Sequence, residues 1–200
     1  MTNKRRKLIG FLKNRSGLAG YSEIKKAGFD KTVLRSVVKS GQIKKVDRGL
    51  YRLAEGTQLS NPDLVAASIK VPKGIVCLLS ALAFHEATSE IPRYVHIAIL
   101  RGKHANKIKY PPVKYYRYAP GIWKEGLENH EVDGRRIRVY NLARTVVDCF
   151  KFRNKIGLDV ARDALKVAVT EKEVKPKEIM KYAKLCRVES VIKPVLEAII

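Results

Sequence analysis

The chain has 200 residues, 46% of them hydrophobic, and its 41 lysines and arginines against 19 acids leave a net charge of +22. That length accommodates a small domain and a larger one with its own core, and the charge calls for a polyanionic partner. Three cysteines, Cys77, Cys149 and Cys186, lie far apart without CxxC spacing, which argues against a disulfide framework or a cysteine metal site. Buried thiols in a reducing cytoplasm are expected. The apolar piece 8–12 is too short for a secretory leader, and the longest apolar run, 74–84, is too short to span a bilayer. The chain is expected to be cytoplasmic and to make no membrane contact.

Residues 3–13 predict a helix with Leu8, Ile9 and Leu12 inward, and 14–20 a glycine-containing turn. A second helix is expected over 21–27, capped by Ser22 and stopped by Gly28. The stretch FDKTVLRSVVKSGQIKKVDRGLYRL, 29–53, is the most informative. Asp30 is an N-cap, Phe29 and Leu34 stand at the positions of a hydrophobic staple, and Gly41 follows the helix as a left-handed stop. Leu34, Val37 and Val38 repeat at helical spacing and face inward. Lys31, Thr32, Arg35, Ser36 and Lys39 fall on the other face, where they can reach phosphates and base edges. A ribbon follows, turning at Asp47-Arg48-Gly49, with Lys44, Lys45 and Arg48 as predicted DNA contacts. Helix plus basic ribbon predicts a winged helix-turn-helix over 1–55. Residues 1–53 carry fifteen lysines or arginines and three acids, so more than half the charge excess lies in about a quarter of the chain.

Residues 54–60 predict a linker, and 61–200 a second, α+β domain. A helix is expected over 62–70 with Pro62 at N1, a strand over 74–79, and a helix over 81–87 capped by Ser80. Strands over 94–100 and 113–118 flank a basic loop, 101–109. The Asp133-Gly134 pair predicts a hairpin within 131–140. Helices follow over about 142–150, 158–169, 176–184 and 188–199, with Pro194 interrupting the last. The sheet is expected to be small and mostly antiparallel. Arg101, Lys103, Lys107, Lys109, Arg135, Arg136 and Arg138, near Lys114, Arg117 and four tyrosines, form a candidate basic surface for RNA or DNA. A solvated surface over core tyrosines is the alternative reading. Arg144 and Asp148 are spaced to pair at i, i+4 as a structural contact.

No catalytic chemistry is expected. His85-Glu86 starts like a zinc-protease motif, but Ser89 stands where the second histidine belongs. His96, His104 and His130 form no metal-ligand spacing, so no metal or cofactor is predicted. Glu173-Val174-Lys175 has the letters of a nuclease pair but sits at a helix junction. No phosphate-binding glycine loop occurs.

Three segments carry a family resemblance: KKVDRGLYRL at 44–53, LSALAFHEATSEIPRYVHIAI at 79–99, and YNLARTVVDCF at 140–150 followed by GLDVARDALK at 157–166. In this order they resemble the AbiEi antitoxins of type IV toxin–antitoxin systems, linked to phage abortive infection. The resemblance covers roughly residues 15–170. It implies an N-terminal domain that binds inverted repeats in its own promoter and represses the operon. It also implies a C-terminal domain that neutralises a nucleotidyltransferase-like toxin without stable contact, in a monomer or weak dimer. Two other readings stay open. One is a stand-alone winged-helix regulator whose second domain binds a ligand or dimerises; the other is a nuclease-like effector.

Overall fold

The computed structural model describes residues 3–55, 59–105 and 107–200; residues 56–58 of the predicted linker and residue 106 of the predicted basic loop lie outside them. The chain divides into two units. The first comprises residues 1–73, 106–112 and 130–137, and the second residues 74–105, 113–129 and 138–200. The first unit thus runs beyond the 1–55 reader and takes in two later segments.

In the first unit, α1 (Asn3–Lys13), α2 (Tyr21–Lys26) and α3 (Lys31–Lys39) accompany a sheet of β1 (Leu18–Gly20), β2 (Ile43–Asp47) and β3 (Leu50–Leu53) in the order β1-β3-β2. One core joins them: Leu8 and Leu12 from α1, Ile24 from α2, Leu34 and Val37 from α3, and Ala19, Ile43 and Leu53 from the sheet. Burying this set is the main reason three short helices hold, since each alone is below the length stable in water. Asp30 caps α3 as expected, accepting from the Val33 N–H at 2.8 Å. Gly41 follows at φ 77°, the left-handed conformation that ends the helix without a Cβ clash. The strand β1 was missed in the sequence because three residues, ending in glycine, carry no period-2 signal.

The cap of α2 also differs from expectation. Gly20, not Ser22, is the N-cap, and Glu23 closes the capping box by accepting the Gly20 N–H at 2.8 Å. The same carboxylate pairs with Arg15 at 3.2 Å and with Arg135, from the 130–137 segment of this unit, at 2.9 Å. Burial opposes its ionisation, but these hydrogen bonds and cations win, so its pKa lies below the usual 4.5. A lowered carboxylate pKa contributes stability that is complete above 4.5 and lost as pH falls through the folded value. Glu23→Gln is therefore expected to cost about 2 kcal/mol from pH 7 down to pH 5. The gap to wild type closes below pH 4.5 in urea melts followed by circular dichroism; a gap independent of pH would refute the ionic account.

The helix α4 (Pro62–Lys70) belongs to the first unit. Its Ile69 packs so closely on Gly20 that a Cβ there would lie 2.8 Å away. Lys70 pairs with Asp47 at 2.8 Å and donates to the Arg48 carbonyl at 2.6 Å. The turn Asp133-Gly134, with both residues at positive φ, is the predicted hairpin signal, and Asp133 accepts from the Ser60 hydroxyl at 3.0 Å.

In the second unit, β4 (Ile75–Val76), β5 (Val95–Leu100), β6 (Val113–Tyr118), β7 (Leu127–Val132) and β8 (Arg135–Tyr140) form a sheet in the order β6-β5-β4-β8-β7, residues 130–137 counting with the first unit. The sheet is more mixed than expected, because β5–β6 and β4–β8 pair in parallel while β4–β5 is antiparallel. The helix α5 (Leu78–Phe84) starts earlier than predicted, with Cys77 as N-cap. Ser80 instead accepts from the His96 N–H at 2.9 Å and donates to the Tyr94 carbonyl at 3.1 Å. Helices α6 (Leu142–Lys151), α7 (Arg153–Ile156), α8 (Leu158–Thr170), α9 (Pro176–Cys186) and α10 (Glu189–Glu197) complete the unit, Pro194 standing inside α10. Eight of the ten residues of α6 are buried, which makes it the central helix. Among the described residues no helix is long and apolar enough to cross a membrane.

Candidate nucleic-acid interface

The helix α3 buries Leu34 and Val37 and leaves Lys31, Thr32, Arg35 and Lys39 exposed. Asp30, the acid at its start, is occupied by the cap. The exposed face therefore carries three cations and a hydroxyl with no carboxylate between them. Its length, nine residues, and its two-turn reach suit entry into a major groove about 12 Å wide. Ser36, assigned to this face from the sequence, is half-buried and already partnered. Its hydroxyl donates to the Val33 carbonyl at 2.8 Å and accepts from Arg5 Nε at 3.0 Å. It positions Arg5 at the rim of the face rather than offering a free hydroxyl. Arg5 lies 31 residues away in the chain, which is why local spacing could not place it there.

The ribbon β2–β3 divides its cations by the alternation of a strand. Lys45 stands opposite Tyr51, on the side of the core residues Ile43 and Leu53. Tyr51 joins this side to α3. Burial raises its hydroxyl pKa, Tyr21 adds to the rise, and the Arg35 charge pulls the other way. Arg35, Tyr51 and Lys45 thus form one polar track from helix to ribbon, with Arg48 exposed at the turn. Tyr51 was missed because a tyrosine in an alternating strand reads as core. Lys44 points to the other face, opposite Arg52, which itself stands opposite Leu18. The three predicted ribbon cations are all exposed, but alternation separates Lys44 from Lys45.

The turn is fixed from behind. Burial raises the Asp47 carboxyl, but hydrogen bonds from Lys70 and from the Arg48 and Tyr110 N–H groups outweigh it, leaving the pKa below its usual value. Lys70 holds the turn through Asp47 and the Arg48 carbonyl, and Arg48 stays exposed.

The basic set assigned to the second domain is divided. Lys107, Lys109, Arg135 and Arg136 belong to the first unit, and Arg101, Lys103 and Arg138 to the second. Arg101, Lys103, Lys107, Lys109 and Arg136 are exposed. Arg135 is withdrawn from any surface: its side chain is 9% exposed, pairs with Glu23 and donates to the Leu18 carbonyl. The tyrosines also divide. Tyr116 and Tyr118 are core, as the alternative reading had it, while Tyr110 and Tyr115 are half-buried. Cys77, Cys149 and Cys186 are buried, and burial pushes all three thiols up, Cys186 to about 11. Among the described residues no group of histidines, cysteines and acids could hold a metal.

Residues 6–54 match the family described as transcriptional regulators, AbiEi antitoxin. The match runs from within α1 through β3. A search of curated proteins finds no match.

Proposed function

We propose that this chain, with an AbiEi-type reader at residues 6–54, is a DNA-binding transcriptional repressor and antitoxin. It would insert α3 into the major groove of inverted repeats in its own promoter. The observation that carries the reading is the acid-free exposed face of α3, continued by Tyr51 and Lys45. Arg35 would read a guanine, Lys31, Thr32 and Lys39 would flank it, and Lys45 and Arg48 would hold phosphates. Neutralisation of a nucleotidyltransferase-like toxin is the second part of the proposal and rests on the resemblance of the later segments.

Fluorescence anisotropy with the upstream region of the operon, against random duplex, tests the first part. Specific binding at least tenfold tighter supports it; equal affinity for both duplexes removes sequence reading. Lys45→Ala is expected to weaken both duplexes equally and to lower the slope of log K against log salt by about 0.9, one phosphate's worth. An unchanged slope would take Lys45 out of the interface. Co-expression with the neighbouring toxin gene product tests the second part. Growth without rescue would favour a stand-alone regulator.

A further inference from the structure

The face of the ribbon turned away from the α3 side contains a cleft of about 320 Å³. Leu18, Lys44, Lys45, Val46 and Arg52 line it from the sheet, with Leu59, Pro62 and Tyr110. All belong to the first unit. Lys44 and Arg52 are direct cross-strand partners. Like charges directly opposite on a strand pair destabilise it, and among the described residues no hydrogen bond or ion pair relieves either one. A few residues away the same ribbon does neutralise its charges, with Lys70 on Asp47. Both cations of this uncompensated pair line the cleft.

Tyr110 forms an aromatic wall. Burial raises its hydroxyl pKa, the nearby Asp63 adds to the rise, and the Arg52 charge pulls the other way. The half-buried Tyr110 lines the cleft beside Leu18, Leu59 and Pro62. Two unpaired cations next to an aromatic and aliphatic wall match a ligand with an anionic head and a flat, weakly polar body. The volume lies at the lower end of small-molecule sites, which limits the body to about one ring system.

We propose that this cleft binds a mononucleotide, its phosphate on Lys44 and Arg52 and its base against Tyr110. Lys44 and Arg52 lie on the strand face opposite Lys45 and Tyr51, and occupancy of the site does not depend on the DNA-binding reading.

Titration calorimetry with AMP on the full chain tests the site. Binding with a Kd of about 1 mM or tighter is expected. Lys44→Ala/Arg52→Ala should weaken it at least tenfold. That variant removes a like-charge pair, so it is expected to melt no lower than wild type. Lys39→Ala, on α3, should lose duplex affinity but keep AMP binding. Adenosine or inorganic phosphate binding as tightly as AMP would overturn the assignment, since each lacks half of the ligand. So would AMP affinity unchanged in the folded double variant. If AMP fails to bind and the double variant instead loses duplex affinity, the two cations are ordinary phosphate contacts and the proposal is wrong.

Discussion

Replacing Arg144 with alanine is expected to destabilise the second unit by about 3–5 kcal/mol, because it strands a buried carboxylate. Arg144 and Asp148 are both fully buried, and Arg144 Nε donates to Asp148 Oδ2 at 3.1 Å. The Tyr118 hydroxyl donates to the same oxygen at 3.0 Å, and the Cys186 thiol faces Oδ1 at 3.8 Å. The guanidinium lies 5.6 Å from the Tyr118 ring centre and 5.2 Å from that of Tyr140, while Nη1 and Nη2 find no hydrogen-bond acceptor among the described residues. The rings thus supply part of the stabilisation that acceptors would normally give. Burial pushes the Asp148 carboxyl up, with Arg144 and Tyr118 pulling against it; it also disfavours the Arg144 cation, but Asp148 more than offsets that. Gly126 is required beside the pair, since a Cβ there would stand 2.7 Å from Arg144 Cβ.

The check is urea unfolding followed by Trp123, the single tryptophan, whose carbonyl accepts from the Tyr140 hydroxyl at 2.8 Å. The double variant Arg144→Met/Asp148→Leu should recover more than half of the loss, since both charges are then gone. If it is no better than the alanine variant, packing rather than charge explains the site. Thiol labelling gives an independent measure. The three buried cysteines should react slowly in the wild type and faster in Arg144→Ala.

Arg35→Ala is expected to lose about 1–3 kcal/mol of affinity for the specific duplex and much less for random DNA. The reason is geometric. Arg35 is exposed on α3, on the face away from the buried Leu34 and Val37, and its charge reaches Tyr51 on the ribbon. A bidentate contact to a guanine edge is lost completely on truncation, whereas a phosphate contact is lost in equal measure on any sequence. Equal weakening on both duplexes would make Arg35 a backbone contact and move the reading role to Lys31 or Thr32. The alanine variant is expected to fold normally, because an exposed helix position tolerates that change within about 0.5 kcal/mol.

Much of this molecule was legible in its sequence because the signals were local. The cap at Asp30, the stop at Gly41, the Asp133-Gly134 turn and the apolar spacing of Leu34 and Val37 each need only neighbours within about four residues. These decided α3, the ribbon and the hairpin, and the charge count decided which end of the chain is the more basic. The Arg144–Asp148 pair was also readable, being one turn apart on one helix. What spacing could not supply was burial, and burial makes that structural pair the largest expected effect in the chain.

Tertiary structure alone decided which cations remain available. Arg135 looks like its neighbours Arg136 and Arg138, yet it is sequestered by Glu23, 112 residues earlier in the chain. Ser36 looks like a reader residue, yet it is engaged by Arg5. Lys44 and Lys45 are adjacent, yet strand alternation sets one opposite Arg52 and the other opposite Tyr51. The extent of the first unit was hidden for the same reason: α4 and the 107–112 and 130–137 segments join it through contacts at long sequence separation. Composition and periodicity determine which residues are charged and which way a local element turns its apolar side. Whether a charge faces solvent, a carboxylate or a cleft depends on partners brought close only by the packed fold.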